Sequence, residues 1–259
     1  MKKTWKDYNW QLIHTYSQAP NIHMALDALI TKEVNDGLRH PTLRIWEWAS
    51  PAIVLGRFQS IKNEVNQEKS KEYNIEIVRR ITGGGAMFIE PGNTITYSIS
   101  APINLVNDMS FQESYKFLDD WVIKALIDLG VPARYKPIND IESENGKKIG
   151  GAAQARFSNS ILHHVTIAYS INQNKMLELL RIGKEKISDK GIESANKRVD
   201  DSALISTGFS REHFIKNMIE KFSQMCSLER VELDSKTIKA AKKLSEDKFK
   251  QNSWINIVP

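Results

Sequence analysis

Apolar residues recur at helical spacing early in the chain. Ile22, Leu26, Leu29, Ile30 and Val34 predict a helix that stops at Gly37. Residues 43–48 and 52–55 read as strands, divided by Ser50 and Pro51. A short helix closes over residues 69–73, and the strand-like run 75–78 leads into Gly83, Gly84 and Gly85. Residues 86–89 and 94–100 are expected to pair as a hairpin turned by Pro91, Gly92 and Asn93. In its second arm Ile95, Tyr97 and Ile99 alternate with Thr96, Ser98 and Ser100, the pattern of a half-buried strand. Ser110 opens the clearest helix, with Glu113 at the capping-box position and Gly130 as the stop. Its apolar stripe is Phe111, Tyr115, Leu118, Val122, Leu126 and Leu129. Asn145-Gly146 predicts a hairpin turn between 141–144 and 147–149, and residues 161–171 predict another strand. From Asn174 onward the chain reads as mostly helical and highly charged. Strands that come in hairpins, rather than alternating with helices, define an α+β fold with mixed and antiparallel sheets flanked by helices.

Composition narrows the function classes. The 259 residues carry 36 Lys and Arg against 31 Asp and Glu, a formal net charge of +5. That mild excess suits an anionic small molecule or an acidic protein partner. No arginine-rich tract or zinc-ligand spacing points to nucleic acid. Cys226 is the one cysteine, so an intrachain disulfide is impossible and a thiolate metal site is disfavoured. A reducing, cytoplasmic setting is expected. The first residues lack the apolar run of a signal peptide, and no stretch is long enough to span a bilayer.

Three motifs can carry chemistry. The first is Arg79-Arg80-Ile81-Thr82-Gly83-Gly84-Gly85-Ala86. Successive glycines let backbone N–H groups converge on an anion, with positive φ open to all three, and the arginines can neutralise phosphate or carboxylate. A flexible turn is the bland alternative, and Gly-Lys-Ser/Thr does not follow as it would in a Walker A loop. The second is Asn139-Asp140 followed by Lys147-Lys148-Ile149-Gly150-Gly151-Ala152-Ala153-Gln154. A hairpin would bring an acid and a lysine near a glycine pair. Simple two-residue register puts Asp140 and Lys148 on opposite faces. Either the loop is longer or one of them is not part of the site. The third is Leu162-His163-His164-Val165-Thr166, where His164 and Thr166 share a strand face. Neighbouring strand histidines cannot chelate one ion easily, so hydrogen bonding is favoured over metal ligation. Cys226, after Phe222 and Met225, reads as a small core residue.

These motifs stand in a familiar order. Asn21-Ile22-His23-Met24-Ala25-Leu26-Asp27-Ala28-Leu29 comes first, then Arg44, Pro51, Val54-Leu55-Gly56-Arg57 and Gln59, then the Arg-Gly run with Gly92-Asn93. Asn139-Asp140, the Lys148 motif, Leu162-His163-His164, Lys190-Gly191-Ile192-Glu193-Ser194 and Arg198-Val199 follow. Over about residues 21–205 the chain resembles the lipoate–protein ligase family, within the wider group that includes lipoyl/octanoyl transferases and biotin–protein ligases.

The resemblance implies a biotin/lipoate ligase-like catalytic domain and a two-step reaction. Lipoate and ATP form lipoyl-AMP, and a lysine of a lipoyl-carrier domain then takes the acyl group. It implies that Arg80 and the loop Gly83, Gly84, Gly85, Ala86, Met87 and Phe88 hold lipoate and nucleotide. Lys148 stabilises charge at the α-phosphate and acyl oxygen, and Asp140 acts through Mg²⁺. Gly150, Gly151 and Ala153 admit the adenylate, with Asn139, His164 and Thr166 completing the binding set. Ile89-Glu90 stand where many members have His-Asp, and Val165 where glycine is common. The expected organisation is one catalytic domain over 1–259, ending in a helical segment 206–259 with no accessory domain, as in short archaeal-like ligases. Such a chain is expected to need a separate accessory protein. Its carriers would be 2-oxoacid dehydrogenase E2 or glycine-cleavage H protein. Rival readings are a thiol-dependent acyltransferase, a biotin ligase and a non-catalytic binding module.

Overall fold

Two sheets carry the chain. The computed structural model describes residues 3–181 and 203–259, and the motif at 190–199 lies outside them. In chain order the elements begin with β1 (Asn9–His14), α1 (Pro20–Asn35), β2 (Thr42–Trp46), β3 (Ala52–Leu55), α2 (Ile61–Glu64) and α3 (Gln67–Glu72). Next come β4 (Glu76–Arg79), β5 (Met87–Ile89), β6 (Thr94–Pro102), α4 (Phe111–Asp128), β7 (Ala133–Lys136) and β8 (Asp140–Ser143). The rest are β9 (Lys148–Arg156), β10 (Ser160–Ala168), α5 (Gln173–Leu179), α6 (Arg211–Ser223), β11 (Ser227–Arg230), α7 (Ser235–Leu244) and α8 (Asn252–Ile255). The large sheet has eight strands in the order β11-β1-β2-β6-β10-β9-β8-β7, and the small one runs β4-β3-β5. Parallel pairs β1–β11, β1–β2 and β3–β4 stand beside antiparallel ones, so the α+β class with mixed sheets holds.

Local signals set the helices. Pro20 opens α1, and Gly37 leaves it with φ of +71°. At α4 the Ser110 hydroxyl accepts from the Glu113 amide at 3.2 Å, and the Glu113 carboxylate accepts from the Ser110 amide at 2.8 Å. One sheet face packs Leu118, Trp121 and Val122 of α4 and Phe214, Met218 and Phe222 of α6 against Trp10, Tyr97 and Ile99. Each such side chain contributes about 1.5–3 kcal/mol on burial, which fixes both helices to the sheet. The other face takes α1 through Met24, Leu26 and Ile30 against Trp46 and Trp48, with Val54 and Val78 of the small sheet in the same cluster. A third cluster joins Ile53, Leu55 and Phe88 to Met176 and Leu179 of α5.

Three expectations change. β5 and β6 do not form a hairpin: β5 pairs with β3, while β6 lies between β2 and β10. The physical reason is burial. Eight of the nine β6 residues are buried, so the strand belongs in the middle of the large sheet, and the turn at Gly92 (φ +79°) crosses between sheets. The stretch after Asn174, expected to be mostly helical, also holds a strand that was not expected, β11, which runs parallel to β1. Phe111 leaves the α4 stripe. It is exposed and lies under the Arg156 guanidinium, 4.5 Å from the ring centroid. No helix among the described residues is long and apolar enough to cross a membrane.

Candidate active site

A cavity of about 720 Å³ opens between the sheets and α5. Met24, Trp46, Val54, Phe88, Ala168 and Met176 give it apolar walls. Arg80, Asn139, Asp140, Lys148, His164 and Thr166 are among its polar groups, with Glu64 and Arg181 also at the wall. Gly85, Ala86 and Met87 contribute the loop wall, and Gly150, Gly151 and Ala153 the β9 wall. Gly83 and Gly84, expected at the ligand, are not part of the lining.

The Lys148–Asp140 register resolves in favour of a longer loop. Gly146 takes φ of +73°, the Ser143 amide donates to the Lys147 carbonyl at 2.8 Å, and the β8–β9 register shifts beside Ile141 and Glu142. Lys148 then pairs with Glu142 instead of Ser143, which brings it to the Asp140 side. The Lys148 ammonium meets the Asp140 carboxylate at 2.7 Å, with the two side chains 33% and 18% exposed. Both groups lie at the cavity wall and are partly open to solvent. The adjacent Asn139 side-chain amide donates to the Ala152 carbonyl at 2.6 Å and ties the β7–β8 connection to β9.

The two arginines divide. Arg79 is fully buried and donates to the carbonyls of Gly56 (2.7 Å), Gln59 (2.7 Å) and Ile255 (2.8 Å). It faces away from the cavity, so the expectation that both arginines meet the ligand is corrected: successive strand residues point to opposite sides. Arg80 lines the cavity. Its Nε donates to Thr82 Oγ1 (3.0 Å), its Nη2 to the carbonyls of Gly83 (2.6 Å) and Gly85 (2.9 Å), and its Nη1 to Val54 (3.2 Å). Burial pushes this guanidinium down to about 10, so it stays charged near neutrality. Five N–H donors less these bonds leave one Nη1 hydrogen for a ligand. Positive φ is confined to Gly84 (+91°) within the triplet, whereas all three were expected to be free to adopt it. The glycine that matters for close approach is Gly56, where an added Cβ would collide with the Gly84 carbonyl.

Both histidines are hydrogen-bonded at each ring nitrogen, as the strand spacing suggested. His163 meets Gln154 Nε2 (3.1 Å) and Asp119 (2.6 Å). His164 meets Asp27 (2.9 Å) and Thr82 (2.7 Å). Thr166 Oγ1 lies 3.3 Å from Thr96 Oγ1. Asp27 and Thr82 had no assigned role in the sequence. A signal for Asp27 was available: it lies three residues after Met24 and three before Ile30, a carboxylate on the buried stripe of α1. Glu90, in place of the family's usual acid, pairs with Lys175 of α5 at 2.6 Å and latches the cavity's helical wall to the end of β5. Cys226 is buried in the large core cluster, outside the cavity lining, and burial pushes its thiol up to about 12.

The cavity thus joins apolar walls to an ammonium–carboxylate pair and part of a glycine-rich loop, the make-up of a small-molecule binding site. The family model described as the lipoyl protein ligase A/B catalytic domain matches residues 19–223, and the chain belongs to that family. It is 31% identical over 235 residues to the "Probable lipoate-protein ligase A" of Mycoplasma pneumoniae, covering 91% of this chain and 68% of the relative. It is 29% identical over 219 residues to "Octanoyltransferase LipM" of an Exiguobacterium species, covering 71% and 76%. The fold matches the solved bi-partite lipoate protein ligase of Thermoplasma acidophilum with TM-score 0.81 and 24% identity, over 97% of this chain and 98% of that one.

Proposed function

We propose that this chain activates lipoate with ATP to lipoyl-AMP and then transfers the lipoyl group to a lysine of a lipoyl-carrier domain. The observation that carries this reading is the Lys148 ammonium, held on Asp140 at the polar side of a cavity whose other walls include Met24, Trp46, Val54, Phe88 and Met176. A carboxylate attacking a phosphate is an encounter of two anions, and a preorganised cation removes that repulsion. In the first step a lipoate oxygen bonds to the α-phosphorus and pyrophosphate leaves. Lys148 balances the charge on the α-phosphate oxygens, and the apolar walls exclude water from the anhydride. In the second step the carrier lysine's neutral amine bonds to the acyl carbon, AMP leaves with the electron pair, and the amine gives up a proton. Arg80 and the Gly85, Ala86 and Met87 wall hold the ligand from one side. Gly150, Gly151 and Ala153 let it approach β9 from the other.

Asp140 would be the residue that holds Mg²⁺. Among the described residues no group of three acidic or histidine side chains forms a cage. A single carboxylate suits an ion that takes its other ligands from phosphate and water. The ion would shield phosphate charge there.

Octanoyl transfer without ATP is the second reading, favoured by the likeness to LipM. It needs a thiolate beside a base. Cys226, the chain's one cysteine, sits in the core with a raised pKa, which argues for the ligase. The same reading takes the chain as a catalytic domain that works with a separate accessory protein in the cytoplasm. The bi-partite nature of the Thermoplasma ligase supports that partner, and its E2 lipoyl domain supports a carrier of that kind.

The test is mass spectrometry of a lipoyl-domain acceptor incubated with the chain, ATP, Mg²⁺ and lipoate, with and without the accessory protein. Lipoylation that requires ATP and disappears in Lys148→Ala is expected. Wild-type pyrophosphate release from Lys148→Ala would remove that lysine from the mechanism, and full lipoylation by the chain alone would remove the accessory protein.

A further inference from the structure

Behind the cavity wall a chain of buried polar groups connects α1 to the glycine-rich loop. Asp27 is buried, and its Oδ1 accepts from Arg44 (2.5 Å) and from Ser98 Oγ (2.7 Å). Its Oδ2 faces His164 Nδ1 at 2.9 Å. Burial alone would raise the Asp27 pKa, but Arg44 and His164 outweigh it and hold the carboxyl below its usual range. An ionised carboxylate only accepts hydrogen bonds, so Nδ1 of His164 carries the proton. Burial disfavours a second proton on the ring. Nε2 is then an acceptor, and the Thr82 hydroxyl donates to it at 2.7 Å. With its hydrogen committed, Thr82 Oγ1 offers lone pairs to Arg80 Nε at 3.0 Å. Every bond in the series has one permitted direction, and Asp27 sets it.

We propose that Asp27 and Thr82, neither of which lines the cavity, are positioning residues: through the His164 tautomer they orient the Arg80 guanidinium that grips the Gly83 and Gly85 carbonyls. The inference rests on the cavity being the lipoate and adenylate site. Its chemistry is directional. An Asn at position 27 must keep its oxygen toward Arg44 and Ser98, which turns its NH₂ toward His164. Nδ1 then becomes an acceptor, the proton moves to Nε2, and the Thr82 hydroxyl loses the partner its hydrogen needs. The Arg80 bond is left without a fixed partner, and the loop wall loosens.

Two measurements test this. Nitrogen-15 spectra of histidine-labelled protein report which His164 nitrogen bears hydrogen. The wild type should show the Nδ1–H form, and Asp27→Asn the Nε2–H form. Lipoate-dependent pyrophosphate release should show KM for lipoate raised about tenfold in both Asp27→Asn and Thr82→Val. In both, kcat should stay within about twofold, the split expected when ground-state positioning is lost. The double variant should be no worse than Thr82→Val, because both changes break one series. Asp27→Asn also weakens a buried ion pair with Arg44, so Thr82→Val, which leaves that pair intact, decides the case if the first variant fails to fold. An Nε2–H tautomer in the wild type, an unchanged KM in folded Thr82→Val, or single effects that multiply in the double variant would each overturn the proposal. A wild type that releases no pyrophosphate with lipoate, even beside the accessory protein, defeats the ligase reading alone, and the tautomers still decide the relay.

Discussion

A single methyl group at position 151 should cripple adenylation without unfolding the chain. A Cβ on Gly151 would lie 2.8 Å from the Lys148 nitrogen, 3.0 Å from its Cε and 3.6 Å from Asp140 Oδ1. Ordinary non-bonded contact begins at about 3.5 Å, so the lysine tip must move by ~0.7 Å or more. The movement is easy, because the side chain is flexible and one-third exposed. The Lys148–Asp140 pair it disturbs is worth no more than about 1 kcal/mol at such a site. Catalysis tolerates the shift far less. A misplacement of about 1 Å can cost roughly 10²-fold in rate, and loss of one charge-stabilising donor costs about 10²–10³-fold. Gly151→Ala should therefore slow lipoate-dependent pyrophosphate release by ~10–100-fold. Lys148→Ala should slow it at least as much, and the double variant should match Lys148→Ala. Melting followed by circular dichroism should change little in either. A wild-type rate in Gly151→Ala would show that the ammonium does not sit at the reacting phosphate. A double variant worse than Lys148→Ala would show that the methyl acts on the ligand directly.

Gly56→Ala drives a Cβ into the Gly84 carbonyl, so the loop backbone must shift; this overpacking should cost about 1–3 kcal/mol and lower the melting temperature by several degrees. Calorimetry should also show lipoate binding weakened, and unchanged binding would mean that the loop is not part of the site. Burial and the nearby Arg44 hold His23 down at about 3 against an ordinary 6.5, so it stays neutral in the fold while the unfolded chain takes up a proton. Its stabilising effect is complete above pH 6.5 and drains away as pH falls toward 3. Between pH 6.5 and 5 urea melts should lose ~2 kcal/mol to this group, and a His23→Gln chain that keeps the same slope would refute that assignment. Cys226→Ala should lipoylate an acceptor at the wild-type rate and resist iodoacetamide, whereas loss of activity in a folded variant would revive thiol-relayed transfer.

What the sequence disclosed was what local chemistry controls. The Ser110–Glu113 box and the Gly37 and Gly130 stops marked α1 and α4 because capping involves residues three or four apart. The Asn145-Gly146 turn was visible for the same reason, but its length was not, and one residue decided whether Lys148 met Asp140. The pairing of β5 with β3 depends on which strand buries both faces, a property of the whole sheet. Strand β11 is short, polar and mostly exposed at a sheet edge, so it leaves no alternation to read. β1 and β7 also passed unread, the latter with only Ala133 buried. The glycine triplet announced a special loop, yet the close approach that constrains it comes from Gly56, far enough away in sequence to be silent.

The adjacent arginines show how the site is stabilised on both sides. Their opposite directions follow from strand geometry, and each places its guanidinium on backbone carbonyls in place of a carboxylate. Arg79 ties the 56–59 turn to α8, where the Trp254 indole returns a bond to the Arg79 carbonyl at 2.9 Å and Arg57 lies 4.3 Å over its ring. Arg80 ties the glycine loop to β3 and, through Thr82 and His164, to α1. Gly56 touches both systems, since it accepts from Arg79 and packs on Gly84. A loop of three glycines would lose much conformational entropy on closing around a ligand. Fixing the Gly83 and Gly85 carbonyls beforehand with the buried Arg80 removes part of that loss from the binding step, and on the proposed ligase reading it leaves Lys148 to meet the charge that develops in the reaction.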